Sequence, residues 1–345
     1  MGRKITSGKR DNRSNPPRGI LAQYDLGEVQ AVKPKKGGGI DESFVVTSDS
    51  GRYFLKRRSP DYTPDMVDCD HALIQFLVSH GFPTPAVMPT RHGDTWVEWE
   101  GRIYEAYTYV EGSGYAIGDL QQMVSLGHTV ARYHRLVSQY KPPRLKLPPW
   151  KDSSVAGFLD LGGYVTPRLK TLLAHSRIGE QEARFVCDVT RQLKARADQM
   201  RRGTDLASLT VHGALEPGNV LFDEEGEVVA WVDWADSAQF VRVFDVAHAL
   251  LKFAGRRPDA VLPGQVGPSL PWSSVESFAT AYRQEVKLTE AESSSLPWLM
   301  LGIRIVDALW VAESTPMDYR RELSLAKELR TWLTQHAPAI RGAFR

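Results

Sequence analysis

The stretch from Val211 to Ala249, VHGALEPGNVLFDEEGEVVAWVDWADSAQFVRVFDVAHA, constrains this chain more than any other. Two short β-rich runs, Asn219–Asp223 and Val228–Val232, flank Glu224-Glu225-Gly226 and read as a hairpin. Asn219 opens one arm and Asp233 follows the other, so an amide oxygen and a carboxylate are brought together in space. Oxygen ligands of this kind suit Mg²⁺, which commonly takes one or two protein groups and completes its shell with phosphate oxygens and water.

The rest of the pattern splits in two. Ser43–Thr47 and Arg52–Arg57 are β-rich runs joined at Asp49-Ser50-Gly51, and Thr95–Trp99 and Ile103–Tyr109 are a second pair joined at Glu100-Gly101. Between the pairs, Pro64–His80 places Val67, Leu73, Ile74, Leu77 and Val78 at helical spacing. It stops at Gly81, and Pro83 and Pro85 prevent continuation. After Gly112 helices dominate, over Leu120–Tyr140, Glu180–Arg201, Val275–Val286, Leu296–Glu313 and Tyr319–His336, with a proline-rich connection at Pro142–Trp150. The expected fold is α+β and bilobal. A basic, disordered tail spans 1–20, a small β-rich N-lobe 21–111 and a larger helical C-lobe 112–345. The length of 345 residues gives each lobe enough chain for its own core.

His212, Gly213, Asn219, Asp233, Trp234 and Asp245 stand in the order and spacing of a known catalytic segment. On these residues the chain resembles the aminoglycoside, choline and homoserine kinase family of small-molecule phosphotransferases, from about Lys35 to Ala249. The resemblance implies a protein-kinase-like fold, ATP as donor, Mg²⁺ held by Asn219 and Asp233, and a small-molecule hydroxyl as acceptor. It assigns Lys56 to the α- and β-phosphates and places the Gly37-Gly38-Gly39 loop where backbone can approach phosphate closely. Counting back from Gly81-Phe82-Pro83-Thr84-Pro85 makes Asp70 the carboxylate partner of Lys56, with Asp68 as competitor. Thr108 and Val110 would offer backbone groups to adenine, while His212 and Asp245 would brace the catalytic loop.

At one residue the resemblance breaks. Ala214 puts a methyl group where the family carries the carboxylate that orients and deprotonates the acceptor, and loss of a general base typically costs about 10²–10⁴ in rate. Glu216 lies two positions on, and acceptor contact and a solvent-facing orientation are both open to it. Two functions follow: a phosphotransferase with impaired turnover, or a nucleotide-binding pseudokinase acting as a sensor or interaction module. In the C-lobe, Trp272, Tyr282, Trp298 and Trp310 fit either core packing or a box for a quaternary ammonium, and Asp307 could receive an amino group.

Composition narrows the partners. A formal charge of +2 argues against nucleic-acid binding, and Cys69 and Cys187, with no CxxC spacing, are expected as small buried hydrophobes. The N-terminus has no apolar signal region and no run of membrane-span length is evident, so a cytoplasmic protein without membrane association is expected.

Overall fold

The computed structural model describes residues 16–35, 41–148, 154–200, 206–260, 265–314 and 319–345. The N-lobe is a five-stranded antiparallel sheet in the order β1-β2-β3-β5-β4. Its strands are β1 (Val29–Pro34), β2 (Glu42–Ser48), β3 (Gly51–Arg57), β4 (Val97–Trp99) and β5 (Arg102–Thr108). The β4–β5 turn uses Glu100 (φ 50°) and Gly101 (φ 70°), two successive left-handed residues as a tight hairpin requires.

One face of this sheet buries Phe44, Val46, Leu55, Tyr104 and Ala106. Ile20, Tyr24 and Leu26 join that cluster, with Ile20 on the short helical turn α1 (Arg18–Leu21). The expected disordered tail over 1–20 is corrected here: its last residues are ordered by burial of Ile20 against the sheet. Residues 1–15 lie outside the described segments.

Helix α2 (Pro64–Ser79) follows β3. Thr63 caps it by accepting the Met66 N–H, Pro64 occupies the first turn, and Gly81 (φ 65°) turns the chain away at its end. Leu73, Ile74 and Leu77 of α2 belong to the large C-lobe cluster and not to the sheet's own core. The lobes therefore share an apolar seam. After β5 the chain crosses at Gly112, where an added Cβ would lie 2.9 Å from the Leu221 Cβ, and Ser113 exchanges backbone hydrogen bonds with Phe222.

The C-lobe contains α3 (Leu120–Val137), α4 (Val155–Leu159), α5 (Gly162–Ala174), α6 (Glu180–Met200), α7 (Val243–Ala249), α8 (Trp272–Glu285), α9 (Glu290–Ser314) and α10 (Tyr319–Ala343). Helices α3 and α8 pack closely at Gly127, where a Cβ would come within 2.5 Å of the Phe278 carbonyl oxygen. Strands β6 (Ser208–Val211) and β9 (Ala238–Val241) form one ribbon and β7 (Val220–Phe222) and β8 (Val228–Trp231) the expected hairpin.

Helix α9 begins six residues before the expected Leu296. Thr289 and Glu292 make a reciprocal cap, with Glu292 N–H donating to Thr289 Oγ1 (3.2 Å) and Thr289 N–H to Glu292 Oε2 (2.8 Å). Thus Pro297 lies inside a helix already nucleated upstream. Glu290–Glu313 is long and apolar enough to span a membrane by length and composition, which corrects the expectation that no such run exists; 78% of its apolar window is buried in the protein. Cys69 is partly buried and Cys187 is exposed, so the expectation of two buried thiols fails at Cys187.

Candidate active site

Lys56 lies near the end of β3, a strand with sheet neighbours on both sides, and its side chain is almost wholly buried. Its Nζ donates to Asp233 Oδ1 at 2.7 Å and lies 3.2 Å from Asp41 Oδ2. Burial disfavours the ammonium, but Asp233, Asp41 and Glu105 outweigh it and hold the Lys56 pKa above its ordinary value. For Asp233, burial pushes the carboxyl up, and Lys56 overcomes this to hold it at about 2. Asp233 itself has φ 66° and ψ 68°, a left-handed conformation unusual for a side-chain-bearing residue and often found at functional sites.

Asp70 does not pair with Lys56, contrary to expectation. It receives Lys146 Nζ at 2.5 Å, the Tyr62 hydroxyl at 2.5 Å and Ser237 Oγ at 3.3 Å, with Arg58 3.7 Å away. Asp70 is instead saturated by groups that sequence counting does not place beside it. Asp68 is no substitute, since it accepts the Trp96 indole N–H at 2.9 Å. The β5 partner facing Lys56 in register is Glu105, fully buried, which binds Arg58 (2.6 Å) and His71 (2.9 Å). Burial raises the Glu105 carboxyl, but Arg58 and His71 hold it at about 2.

The loop that carries Ala214 is fastened from beneath. Asp245 on α7 accepts the His212 N–H at 2.8 Å on one oxygen and the Gly213 N–H at 3.0 Å on the other. His134 of α3 lies 3.8 Å from the same carboxylate and bonds the Tyr282 hydroxyl at 2.9 Å. The His212 ring bridges the Val232 carbonyl (3.1 Å) and the Ala214 N–H (3.3 Å), which assigns its Nε2 as donor and Nδ1 as acceptor. Both His212 and His134 are pushed below the ordinary histidine value, chiefly by burial. His212 and Asp245 thus sit where loop supports would sit.

Gly213 (φ 81°) leaves no room for a side chain, because a Cβ would stand 2.3 Å from the Asp236 carbonyl oxygen. Trp234 is buried against His212 and donates its indole N–H to Thr84 Oγ1 at 3.0 Å. Thr84 in turn donates to the Trp231 carbonyl, tying the segment after α2 to the hairpin that carries Asp233.

Asn219 donates its amide N–H to the Ala214 carbonyl at 2.9 Å, so its Oδ1 is the side-chain atom that could meet a cation. Its backbone carbonyl accepts the Val232 N–H at 2.9 Å, so the residue before Asp233 is pinned onto Asn219. The donor set, one amide oxygen and one carboxylate oxygen beyond the Lys56 contact, fits Mg²⁺. The Ala214 side chain contributes no polar atom. Thr108 gives its N–H to Ala86 and accepts the Ala86 N–H on its hydroxyl, so a hinge contact would fall to its carbonyl, and Val110 follows the strand end. Gly37, Gly38 and Gly39 lie outside the described residues.

A small antiparallel lobe with a buried strand lysine, joined to a helical lobe whose hairpin carries Asn219 and Asp233, defines a kinase-like architecture. Residues 31–268 match the phosphotransferase enzyme family, and the chain belongs to it. It is 24% identical over 319 residues to a homoserine kinase of Bradyrhizobium sp. (strain BTAi1 / ATCC BAA-1182), covering 88% of this chain and 89% of that protein. Homoserine kinase of Burkholderia mallei is 28% identical over 174 residues, 49% of this chain and 50% of that one, so this second match spans about half of the relative. An amicoumacin kinase solved in complex with AMP-PNP, Ca²⁺ and Ami shares the fold, with TM-score 0.67 and 17% identity over 91% of this chain and 96% of that one.

Proposed function

We propose that this chain transfers the γ-phosphoryl group of ATP to a hydroxyl of a small molecule, with turnover slowed by the alanine at Ala214. The observation that carries this reading is the convergence of Lys56, Asp233 and the Asn219 loop on one site. Phosphoryl transfer asks mainly for positioning and charge neutralisation, and these residues supply both. Lys56, kept charged, would meet the α- and β-phosphates, and Asn219 and Asp233 would hold Mg²⁺. When bound, the ion would neutralise charge on the phosphate oxygens. The AMP-PNP and Ca²⁺ in the amicoumacin kinase support a nucleotide–cation pair, and the homoserine kinases make L-homoserine the first acceptor to try.

Ala214 favours a second reading, a pseudokinase that binds nucleotide without turnover. Calorimetry of ATP with and without Mg²⁺ tests the shared premise: Asp233→Ala should weaken magnesium-dependent binding at least ~10-fold, since a metal-bound carboxylate is a charge-assisted contact. Unchanged binding rejects the site. Phosphorylation of an acceptor panel by Ala214→Asp separates the two readings. Strong transfer supports the kinase, whereas tight ATP·Mg²⁺ binding with no transfer in either form supports the pseudokinase.

A further inference from the structure

Across Ala214, Leu215 and Glu216 the side chains are half-buried, buried and half-buried. Leu215 is fully buried, and its carbonyl accepts from His248 Nδ1 at 2.9 Å. Glu216 has φ −136° and ψ 161°, the extended geometry that the following Pro217 imposes on the residue before it. Ala214 and Glu216 lie two residues apart, at most about 7 Å along the backbone, and both are half-buried with the buried Leu215 between them.

Both residues are also fixed to Asn219. The Ala214 carbonyl accepts the Asn219 side-chain amide, and the Glu216 carbonyl accepts the Asn219 N–H at 2.8 Å. The Glu216 carboxyl, by contrast, has no hydrogen-bond or ion-pair partner among the described residues. Its charged neighbours come from three directions: Lys252 and Arg256 after α7, Asp307 of α9, and Asp233 and Asp236 beside the hairpin. Lys252, the main cation acting on Glu216, is itself bound to Asp307 at 2.7 Å.

We propose that Glu216 is the catalytic residue that takes the acceptor proton in this chain, standing in for the side chain that Ala214 lacks. Glutamate is one methylene longer than aspartate, and that reach offsets part of the displacement along the loop. In the step, the acceptor O–H bond breaks and its proton passes to the Glu216 carboxylate. The oxygen forms a bond to the γ-phosphorus, and the bridging P–O bond breaks with its electron pair leaving on ADP.

The proposal rests on the phosphotransferase reading, and four proteins separate the two: the wild type, Glu216→Gln, Ala214→Asp and the double variant Ala214→Asp/Glu216→Gln. ATP·Mg²⁺ affinity is measured by calorimetry, and turnover is followed as phosphorylated L-homoserine and as ADP released with water as acceptor. The expected result is a wild-type turnover that falls ~10²–10⁴-fold in Glu216→Gln with ATP·Mg²⁺ affinity and melting temperature unchanged. The double variant should recover it, which no purely structural role of Glu216 would produce. Wild-type turnover retained in Glu216→Gln overturns the proposal, as does a silent wild type. In the latter case an active Ala214→Asp form leaves the phosphotransferase reading standing, while silence in every form, or absence of ATP·Mg²⁺ binding, removes that reading too.

Discussion

Asp245 offers the sharpest test of how the loop carrying Ala214 is held. Its two oxygens accept the consecutive backbone N–H groups of His212 and Gly213, at 2.8 and 3.0 Å, and the carboxylate is fully buried. Replacing it with alanine leaves both donors without that acceptor in a site water does not reach. An orphaned buried donor costs about 1–3 kcal/mol, so Asp245→Ala should lose about 2–6 kcal/mol. That is a large share of the 5–15 kcal/mol typical of a folded protein. Asp245→Asn keeps the shape and one acceptor oxygen, but turns an NH₂ toward the second donor, and should cost about half as much. Urea unfolding at constant m gives the difference, and amide exchange reports the loop directly. If Asp245→Ala stays within about 1 kcal/mol of the wild type and the His212 and Gly213 amides exchange no faster, the loop is held by something other than this carboxylate.

Two further outcomes follow from the buried charges. Asp70→Asn should destabilise the protein by about 3–5 kcal/mol, as breaking a buried ion pair does, because Lys146 loses its carboxylate partner while Arg58 keeps Glu105 and Asp41; the ATP affinity should change less than ~3-fold. An affinity loss as large as that of Lys56→Met would instead show that Asp70 serves Lys56. Acid should also unfold the chain through Glu105 and Asp245, whose carboxyls burial raises but whose partners hold lower, Glu105 at about 2. A depressed carboxyl stabilises the fold above its unfolded pKa and loses that contribution as pH falls through the folded one. Stability should therefore drop between about pH 4.5 and 2, by on the order of 3 kcal/mol for Glu105, and Glu105→Gln should flatten that limb in a melting-temperature titration.

Local signals carried most of the architecture. Strand alternation and the turns at Ser50 and Glu100-Gly101 placed β2 to β5, and Gly81 with its prolines placed the end of α2. The hairpin around Gly226 placed Asn219 and Asp233 on facing arms, because a hairpin fixes a long-range pairing through a short-range turn. The errors share a cause. The partner of Asp70 is Lys146, which arrives from the proline-rich connection 76 residues later, and no periodicity encodes that meeting. Glu105 looked like an ordinary strand residue, yet its register opposite Lys56 and the turn of Arg58 inward make it the buried acid of the N-lobe. Arg58 itself reads as surface when taken with Arg57, although Arg57 lies on the sheet and Arg58 just beyond its end. The start of α9 was legible in the Thr289–Glu292 spacing, but Pro297 masked it.

The alanine at Ala214 is compatible with the proposed nucleotide–metal site because backbone and side chain at that position act separately. Its backbone fixes Asn219: the carbonyl accepts the Asn219 amide N–H, and the N–H donates to His212 Nδ1. These bonds depend on the loop path, set by Gly213 and Asp245, and not on the side chain. In the proposed reaction only acceptor activation would belong to the side chain. A substitution there removes one function without disturbing Asn219, Asp233 or Lys56, whereas a substitution at Gly213 or Asp245 would reach all of them through the backbone. The same logic places Glu216 within reach of compensation, since its backbone is pinned to Asn219 and its carboxyl has no other partner among the described residues. The loop can therefore hold its shape while the proton-accepting group shifts by two residues.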